Sequence, residues 1–246
     1  MADRTWLGAG EGRGFSLRAL ACAALFVSLL GVAATMPARA EPAVVIPAPA
    51  LDPAPPAETG LQTIVLAGGC FWGPQAVYEH IKGVTQALAG YAGGQKAKAG
   101  NAEAVEEAES VQVTFDPRQI SLGKILQIHF SVAHNPTELN YQGPDVGAQY
   151  RSVIFYANDG QKRVAGAYIA QINTAHVFAN VIVTKVEALR GFNPAEGSDQ
   201  DYAVLHPDDS YVVSNDQPMV ANLKRLFPDY YREAPLTVSA LNKPTQ

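Results

Sequence analysis

The pattern of apolar and polar residues predicts a strand that is followed at once by a helix. Residues 62–67 form a short apolar run, which is typical of a buried strand. Residues 71–81 then have the spacing of a helix, with Pro74 in the first turn, where its missing N–H leaves no hydrogen bond unmade. Cys70 therefore lies at a predicted strand-to-helix junction.

Residues 111–115 alternate apolar and polar side chains and stop at Asp116-Pro117, which predicts a half-buried strand that ends in a turn. Ser121 is a suitable N-cap for the helix that follows. One face of that helix carries Leu122, Ile125, Leu126 and Phe130.

A polar loop over residues 135–148 leads to a predicted strand at 152–156, a helix at 159–175 and an apolar, β-branched strand at 180–186. Strands and helices are mixed without strict alternation. We expect an α+β fold in a single domain: a mixed β-sheet with helices packed on it, as a two-layer sandwich with a ferredoxin-like core.

Composition narrows the class of protein. The chain has 246 residues, of which 48% are hydrophobic and 17% charged, as in ordinary globular proteins. The formal net charge is −5, and no Lys/Arg-rich run is present to neutralise a phosphate backbone. Nucleic acid is therefore not an expected partner.

Residues 1–40 have the three parts of a secretory signal: Arg13 and Arg18, an apolar stretch over residues 19–35, and Ala38-Arg39-Ala40 before Glu41. We expect export to the periplasm or medium, with cleavage near Ala40 and no stable membrane insertion. A retained anchor is the alternative, but the apolar stretch is shorter than the roughly 20 residues that span a bilayer.

Cys22 lies inside the apolar stretch, whereas a lipid-modified cysteine would follow it, so Cys22 is expected to leave with the signal. Cys70 is then the only cysteine of the mature chain. Residues 41–59 are rich in proline and alanine and are predicted to be a solvated linker. Residues 60–233 are the predicted domain, and 234–246 a C-terminal tail.

Cys70 is the candidate nucleophile. A helix N-terminus lowers the pKa of a thiol from about 8.5, and Gly68 and Gly69 allow a sharp turn and close approach of a substrate. Phe71 and Trp72 project in different directions, so one of them is expected to shape an apolar pocket beside the sulfur. A buried structural cysteine with two core rings is the alternative.

The run Gly68-Gly69-Cys70-Phe71-Trp72-Gly73 resembles the signature of type A peptide methionine sulfoxide reductases. Similar segments follow in the family's order over roughly residues 62–232. They are Gly90-Tyr91-Ala92-Gly93-Gly94, residues 109–117, His134-Asn135-Pro136-Thr137, residues 142–147, Gln149-Tyr150-Arg151-Ser152, residues 192–196 and Gln200-Asp201-Tyr202.

The resemblance implies reduction of the S epimer of methionine sulfoxide, with Cys70 attacking the sulfoxide sulfur and becoming a sulfenic acid. It implies Glu109 as the proton donor, Tyr150 as an assisting hydroxyl and Asp145 as an organiser of the site. Gly69, Phe71 and Trp72 are the expected substrate-binding residues. In an alternative alignment Glu103 is the acid.

Three features depart from the family. The loop over residues 95–109 is short and lacks the second catalytic tyrosine, Glu106-Glu107 stand where a Gly-His is usual, and Ser198-Asp199 replace a Tyr-His. The glutamates are expected to raise the Cys70 pKa. Activity is therefore expected to be weakened, and a non-catalytic binder of oxidised methionine is an alternative.

No resolving cysteine remains to condense with the sulfenic acid. We expect no cofactor and no metal site, an external thiol reductant such as a thioredoxin-like protein, oxidised proteins or peptides as substrates, and a monomer. A second rival is a Cys-His hydrolase, whose base would be one of His80, His129, His134, His176 and His206.

Overall fold

A six-stranded mixed sheet carries the site, and strand β1 is paired on both sides within it. The computed structural model describes residues 43–54, 60–94 and 106–241. The strands are β1 (Gln62–Ala67), β2 (Val84–Ala92), β3 (Ala108–Phe115), β4 (Tyr141–Gln142), β5 (Asp145–Val146), β6 (Val153–Tyr156), β7 (Lys185–Ala188) and β8 (Phe192–Pro194). The sheet order is β7-β6-β1-β3-β2-β8, while β4 and β5 form a separate hairpin.

The helices pack on this sheet. They are α1 (Trp72–Glu79), α2 (Leu122–Ile128), α3 (Asp159–Thr174), α4 (Tyr202–Leu205), α5 (Gln217–Leu226) and α6 (Val238–Leu241). Two π-helical turns, His129–Ala133 and Val212–Asp216, adjoin α2 and α5. Only the β6–β7 pair is parallel among the described strand pairs, so the sheet is mixed and the expected α+β class is confirmed.

The turn between β1 and α1 fixes the position of Cys70. Gly69 has φ +98°, a conformation that costs little only for glycine. A Cβ on Gly68 would lie 2.6 Å from the His134 ring, so this position has no room for a side chain. The two glycines thus let the chain pass between neighbouring segments and place the cysteine at the start of α1.

Several predicted elements are confirmed. Strand β1 has the predicted bounds, and the Ser121 hydroxyl accepts a hydrogen bond from the Lys124 N–H at 3.1 Å, as an N-cap does. The strand predicted at 180–186 is wrong, because β7 begins only at Lys185. The Ile182 N–H instead donates to the Asn173 side chain at 2.9 Å, which holds this apolar run in a loop.

The predicted solvated linker is wrong for residues 43–54, which we call the N-terminal strap. Ile46 is only 2% exposed and belongs to the main core. Backbone carbonyls of the strap accept hydrogen bonds from Gln127, Tyr168 and Gln171 at 2.7–2.9 Å. Proline has no N–H to donate, but here side chains of the domain supply the hydrogen-bond donors. A proline-rich chain also loses less conformational entropy when it becomes ordered.

Replacing Ile46 with alanine is therefore expected to lower the free energy of unfolding by about 3 kcal/mol, the usual cost of emptying a buried isoleucine site. Val45→Ala is the matched control, because Val45 is 76% exposed, and it should change stability by less than about 0.5 kcal/mol. Urea titration measures both. Equal, near-zero effects would mean that the strap does not pack in solution.

The predicted tail is also partly packed. The Leu236 N–H donates to the Glu79 carbonyl at 2.9 Å, and the Val238 N–H donates to the Asp201 carboxylate at 2.9 Å. Hydrogen bonds to buried groups explain why these residues follow the domain surface. Within the described part of the chain, no helix is both long and apolar enough to span a bilayer.

Candidate active site

Cys70 lies at the start of α1, where the Trp72 N–H is directed at its sulfur. That contact lowers the thiol pKa, as the sequence predicts. Burial raises the pKa far more, and the carboxylates of Glu109, Asp216 and Asp145 raise it further, so the net shift is upward. The predicted net lowering is wrong, and the resting group is a protonated thiol.

Glu109 faces this thiol from β3. Its Oε2 accepts a hydrogen bond from the Phe71 N–H at 3.2 Å, which joins the acid to the residue after the cysteine. Burial raises the Glu109 pKa to about 7, while the Phe71 N–H and Cys70 oppose the shift. A carboxyl with this pKa gives and accepts a proton near neutral pH.

Two tyrosines accompany Glu109. Burial raises the Tyr150 pKa, and the charges of Glu109, Asp145 and Cys70 add to the shift, so Tyr150 lies among the predicted site residues. Tyr91, which the sequence analysis left unassigned, pairs directly with Glu109 across the β2–β3 ladder. Its ring also meets the Phe71 ring edge-on at 5.6 Å.

A cavity of about 40 Å³ opens beside Cys70. Asp145 and Tyr211 line it, and the Tyr211 hydroxyl donates a hydrogen bond to the Asp145 carboxylate. Burial, the Cys70 charge and this hydrogen bond all raise the Tyr211 pKa. Asp216 and Met219 also border the cavity, and Ala43 of the N-terminal strap reaches its edge.

The predicted apolar pocket is only partly correct. Gly69 lines the cavity, whereas Phe71 and Trp72 do not. Phe71 is 4% exposed and packs in the core. The Trp72 ring stacks on Tyr202 with centroids 3.8 Å apart and meets Tyr211 edge-on at 5.9 Å, so it supports a cavity wall from behind.

The histidines do not form a Cys-His pair. His134 borders the cavity, but its two ring nitrogens contact the His129 carbonyl at 3.2 Å and the Ser152 hydroxyl at 2.8 Å. Burial lowers its pKa to about 4. The described ranges also contain no group of three side chains suited to hold a metal ion.

The departures from the family pattern differ in their effect on the site. Glu106 and Glu107 are exposed, and Glu107 accepts a hydrogen bond from the Asn193 side chain at 2.7 Å. Contrary to expectation, neither is among the main groups that raise the Cys70 pKa. Asp199 does act on the site, because its charge raises the Glu109 pKa. Glu103, the rest of the loop over residues 95–105, and Cys22 lie outside the described residues.

Tyr211 lies 66 residues from Asp145 and in none of the family-like segments, so no sequence pattern points to it. Tyr211→Phe should leave Asp145 without its phenolic donor and lower kcat/KM for methionine sulfoxide about 10-fold, the effect of one charge-assisted hydrogen bond. Tyr141→Phe, at a 40% exposed ring of the neighbouring hairpin, is the control. Equal rates for both variants would exclude a role for the Tyr211 hydroxyl.

Comparison with known proteins gives a consistent result. A family model described as peptide methionine sulfoxide reductase matches residues 62–230. A peptide methionine sulfoxide reductase from Mesorhizobium japonicum is 50% identical over 196 residues, covering 76% of this chain and 98% of the relative. One from Synechocystis is 41% identical over 191 residues, covering 75% and 89%.

A solved structure is similar as well. The crystal structure of reduced Mxr1 from Saccharomyces cerevisiae superposes with a TM-score of 0.54 at 29% identity, covering 63% of this chain and 91% of that one.

Proposed function

This chain belongs to the peptide methionine sulfoxide reductase family and is a thiol-dependent methionine sulfoxide reductase, and we propose that Cys70 carries the reaction and acts on the S epimer. The observation that supports this role is the position of the Cys70 thiol. The thiol contacts an acid, Glu109, whose pKa is near neutrality, and it lines a cavity with room for a small side-chain group.

The proposed step balances protons and electrons within the site. Glu109 gives its proton to the sulfoxide oxygen, the Cys70 sulfur attacks the sulfoxide sulfur, and the thiol proton passes to the Glu109 carboxylate. The S–O bond of the substrate breaks as the oxygen, with its proton, becomes bonded to the Cys70 sulfur. The transient bond between the two sulfurs also breaks, so Cys70 becomes a sulfenic acid and methionine is released. Cys70 loses the two electrons that the substrate sulfur gains, and Glu109 ends as it began.

An external thiol then completes the cycle, since Cys70 is the free cysteine of the described residues and Cys22 belongs to the predicted signal. The incoming thiol condenses with the sulfenic acid and releases water, and a second thiol frees Cys70 as the thiol. We propose a thioredoxin-like protein as the reductant, with oxidised proteins as substrates and the protein acting as a monomer.

An epimer-resolved assay tests this function. With dithiothreitol as reductant, the mature protein should convert a peptide carrying S-methionine sulfoxide to the methionine form and leave the R epimer unchanged. Binding of the S-epimer peptide without turnover would support the non-catalytic alternative instead. Equal reduction of both epimers would contradict the stereochemical assignment.

We further propose that the protein is exported, on the basis of the tripartite sequence of residues 1–40. N-terminal sequencing of the protein from a bacterial envelope fraction should then begin at Glu41. A full-length protein in the cytoplasm would contradict this proposal.

A further inference from the structure

Asp216 is a buried acid that takes no part in the proposed step at Cys70 and Glu109. It closes the π-helical turn Val212–Asp216, is 1% exposed and lines the same cavity as Cys70. A Cβ on Gly73 would lie 2.6 Å from Asp216 Oδ1, so the carboxyl lies directly against the first turn of α1. Gly73 belongs to the signature run, and because it has no side chain it leaves space for the Asp216 carboxyl.

Most of the other polar side chains at the cavity already have hydrogen-bond partners. The His134 ring nitrogens are both bonded, and the Gln142 side chain bonds Asn135 and Glu138. Tyr211 donates to Asp145, and the Asn215 amide donates to the Tyr211 carbonyl at 3.0 Å. Among the described cavity-lining side chains, Asp216 Oδ2 and Ser131 Oγ are the two buried polar atoms without a hydrogen-bond partner.

Burial raises the Asp216 pKa to about 8, and the charges of Asp145 and Asp209 add to the shift. Besides Asp145, the titratable groups around it are Cys70, His134 and Tyr211 in the cavity, together with His80, Lys224 and Tyr231 at an outer cavity that Asp216 also borders. At neutral pH the carboxyl is therefore mainly protonated and has an O–H to donate.

A buried donor without an acceptor is costly in the free protein, which points to a ligand that supplies the acceptor. The cavity has room for a few waters or a small side-chain group. The acceptor on the small group that this reaction brings to Cys70 is the sulfoxide oxygen.

We propose that Asp216 is a second catalytic acid, which donates a hydrogen bond to the sulfoxide oxygen while Glu109 supplies the proton that is transferred. Asp216 keeps its own proton and stabilises the negative charge that grows on the oxygen. The inference rests on the proposed function and adds a residue to it, without changing the balance of the step.

The test compares Asp216→Ala, Asp216→Asn and Asp208→Asn in the full mature chain, with far-ultraviolet circular dichroism as a check on folding; Asp208 is an exposed acid that does not line the cavity. Asp216→Ala should lower kcat/KM for the S-sulfoxide peptide about 10²-fold, the usual effect of losing one such donor. Asp216→Asn keeps a neutral donor and should recover at least about 10-fold of that loss at pH 7. Asp208→Asn should stay within about 2-fold of wild type.

The pH profile separates a catalytic from a structural role. Above pH 8 the wild-type kcat/KM should fall about 100-fold per pH unit, because both acids lose their protons, whereas Asp216→Asn should fall about 10-fold per unit. Wild-type rates in Asp216→Ala, or an unchanged slope in Asp216→Asn, would overturn the inference. Failure of the proposed function is distinguishable, because wild-type Cys70 would then gain no oxygen from the substrate.

Discussion

Cys70→Ser is expected to abolish reduction of methionine sulfoxide, a loss of the order of 10⁴-fold or more in kcat. A serine hydroxyl has a similar size and keeps the contact with the Trp72 N–H. Unlike the cysteine sulfur, however, its oxygen cannot accept the oxygen atom of the sulfoxide. Release of methionine from an S-sulfoxide peptide, measured by liquid chromatography, reports the rate.

Cys22→Ser is the matched control, because Cys22 lies in the predicted signal and should be absent from the mature protein. It should leave the rate of the mature protein unchanged. Loss of activity in Cys22→Ser, with activity retained in Cys70→Ser, would reverse the assignment of the nucleophile.

The second large effect is expected for Glu109→Gln, which should lower kcat about 10²- to 10³-fold, the range for removal of a general acid. The amide keeps the acceptor for the Phe71 N–H, so the start of α1 should remain in place. Single-turnover measurements on the S-sulfoxide peptide isolate the chemical step.

The pH dependence of kcat is a further test of Glu109 as the acid. The protonated form of Glu109 is the reactive acid, and burial raises its pKa to about 7, so wild-type kcat should begin to fall as the pH rises through 7. This step should be absent from Glu109→Gln. Glu107→Gln, which alters an exposed neighbour that is bonded to Asn193, should retain the wild-type profile. A profile shared by Glu109→Gln and wild type would exclude Glu109 as the titrating group.

Local sequence signals predicted the elements that local interactions determine. The Ser121 cap, the continuous apolar run of β1 and the glycines before Cys70 each act within a few residues, so their outcome is encoded nearby. The family resemblance placed Glu109, Tyr150 and Asp145, which composition alone would have assigned to an acidic run, a strand start and a turn.

Long-range packing explains what the sequence did not predict. The Cys70 pKa is raised by burial and by the carboxylate of Asp216, which lies 146 positions further along the chain. Both oppose the lowering effect of the helix N-terminus. Tyr211 and Asp216 meet the cysteine only because the segment before α5 packs against α1. Ile46 likewise enters the core through side-chain donors on α2 and α3, which no pattern within a proline-rich run reveals.

The chemistry of Cys70 is tested most directly by the intact mass of the mature protein after mixing with one equivalent of S-methionine sulfoxide peptide and no reductant. We predict a mass increase of one oxygen, located at Cys70 by fragmentation and reversed by dithiothreitol, with one equivalent of methionine peptide released. Release of methionine with no oxygen at Cys70, or no reaction at all, would contradict the account.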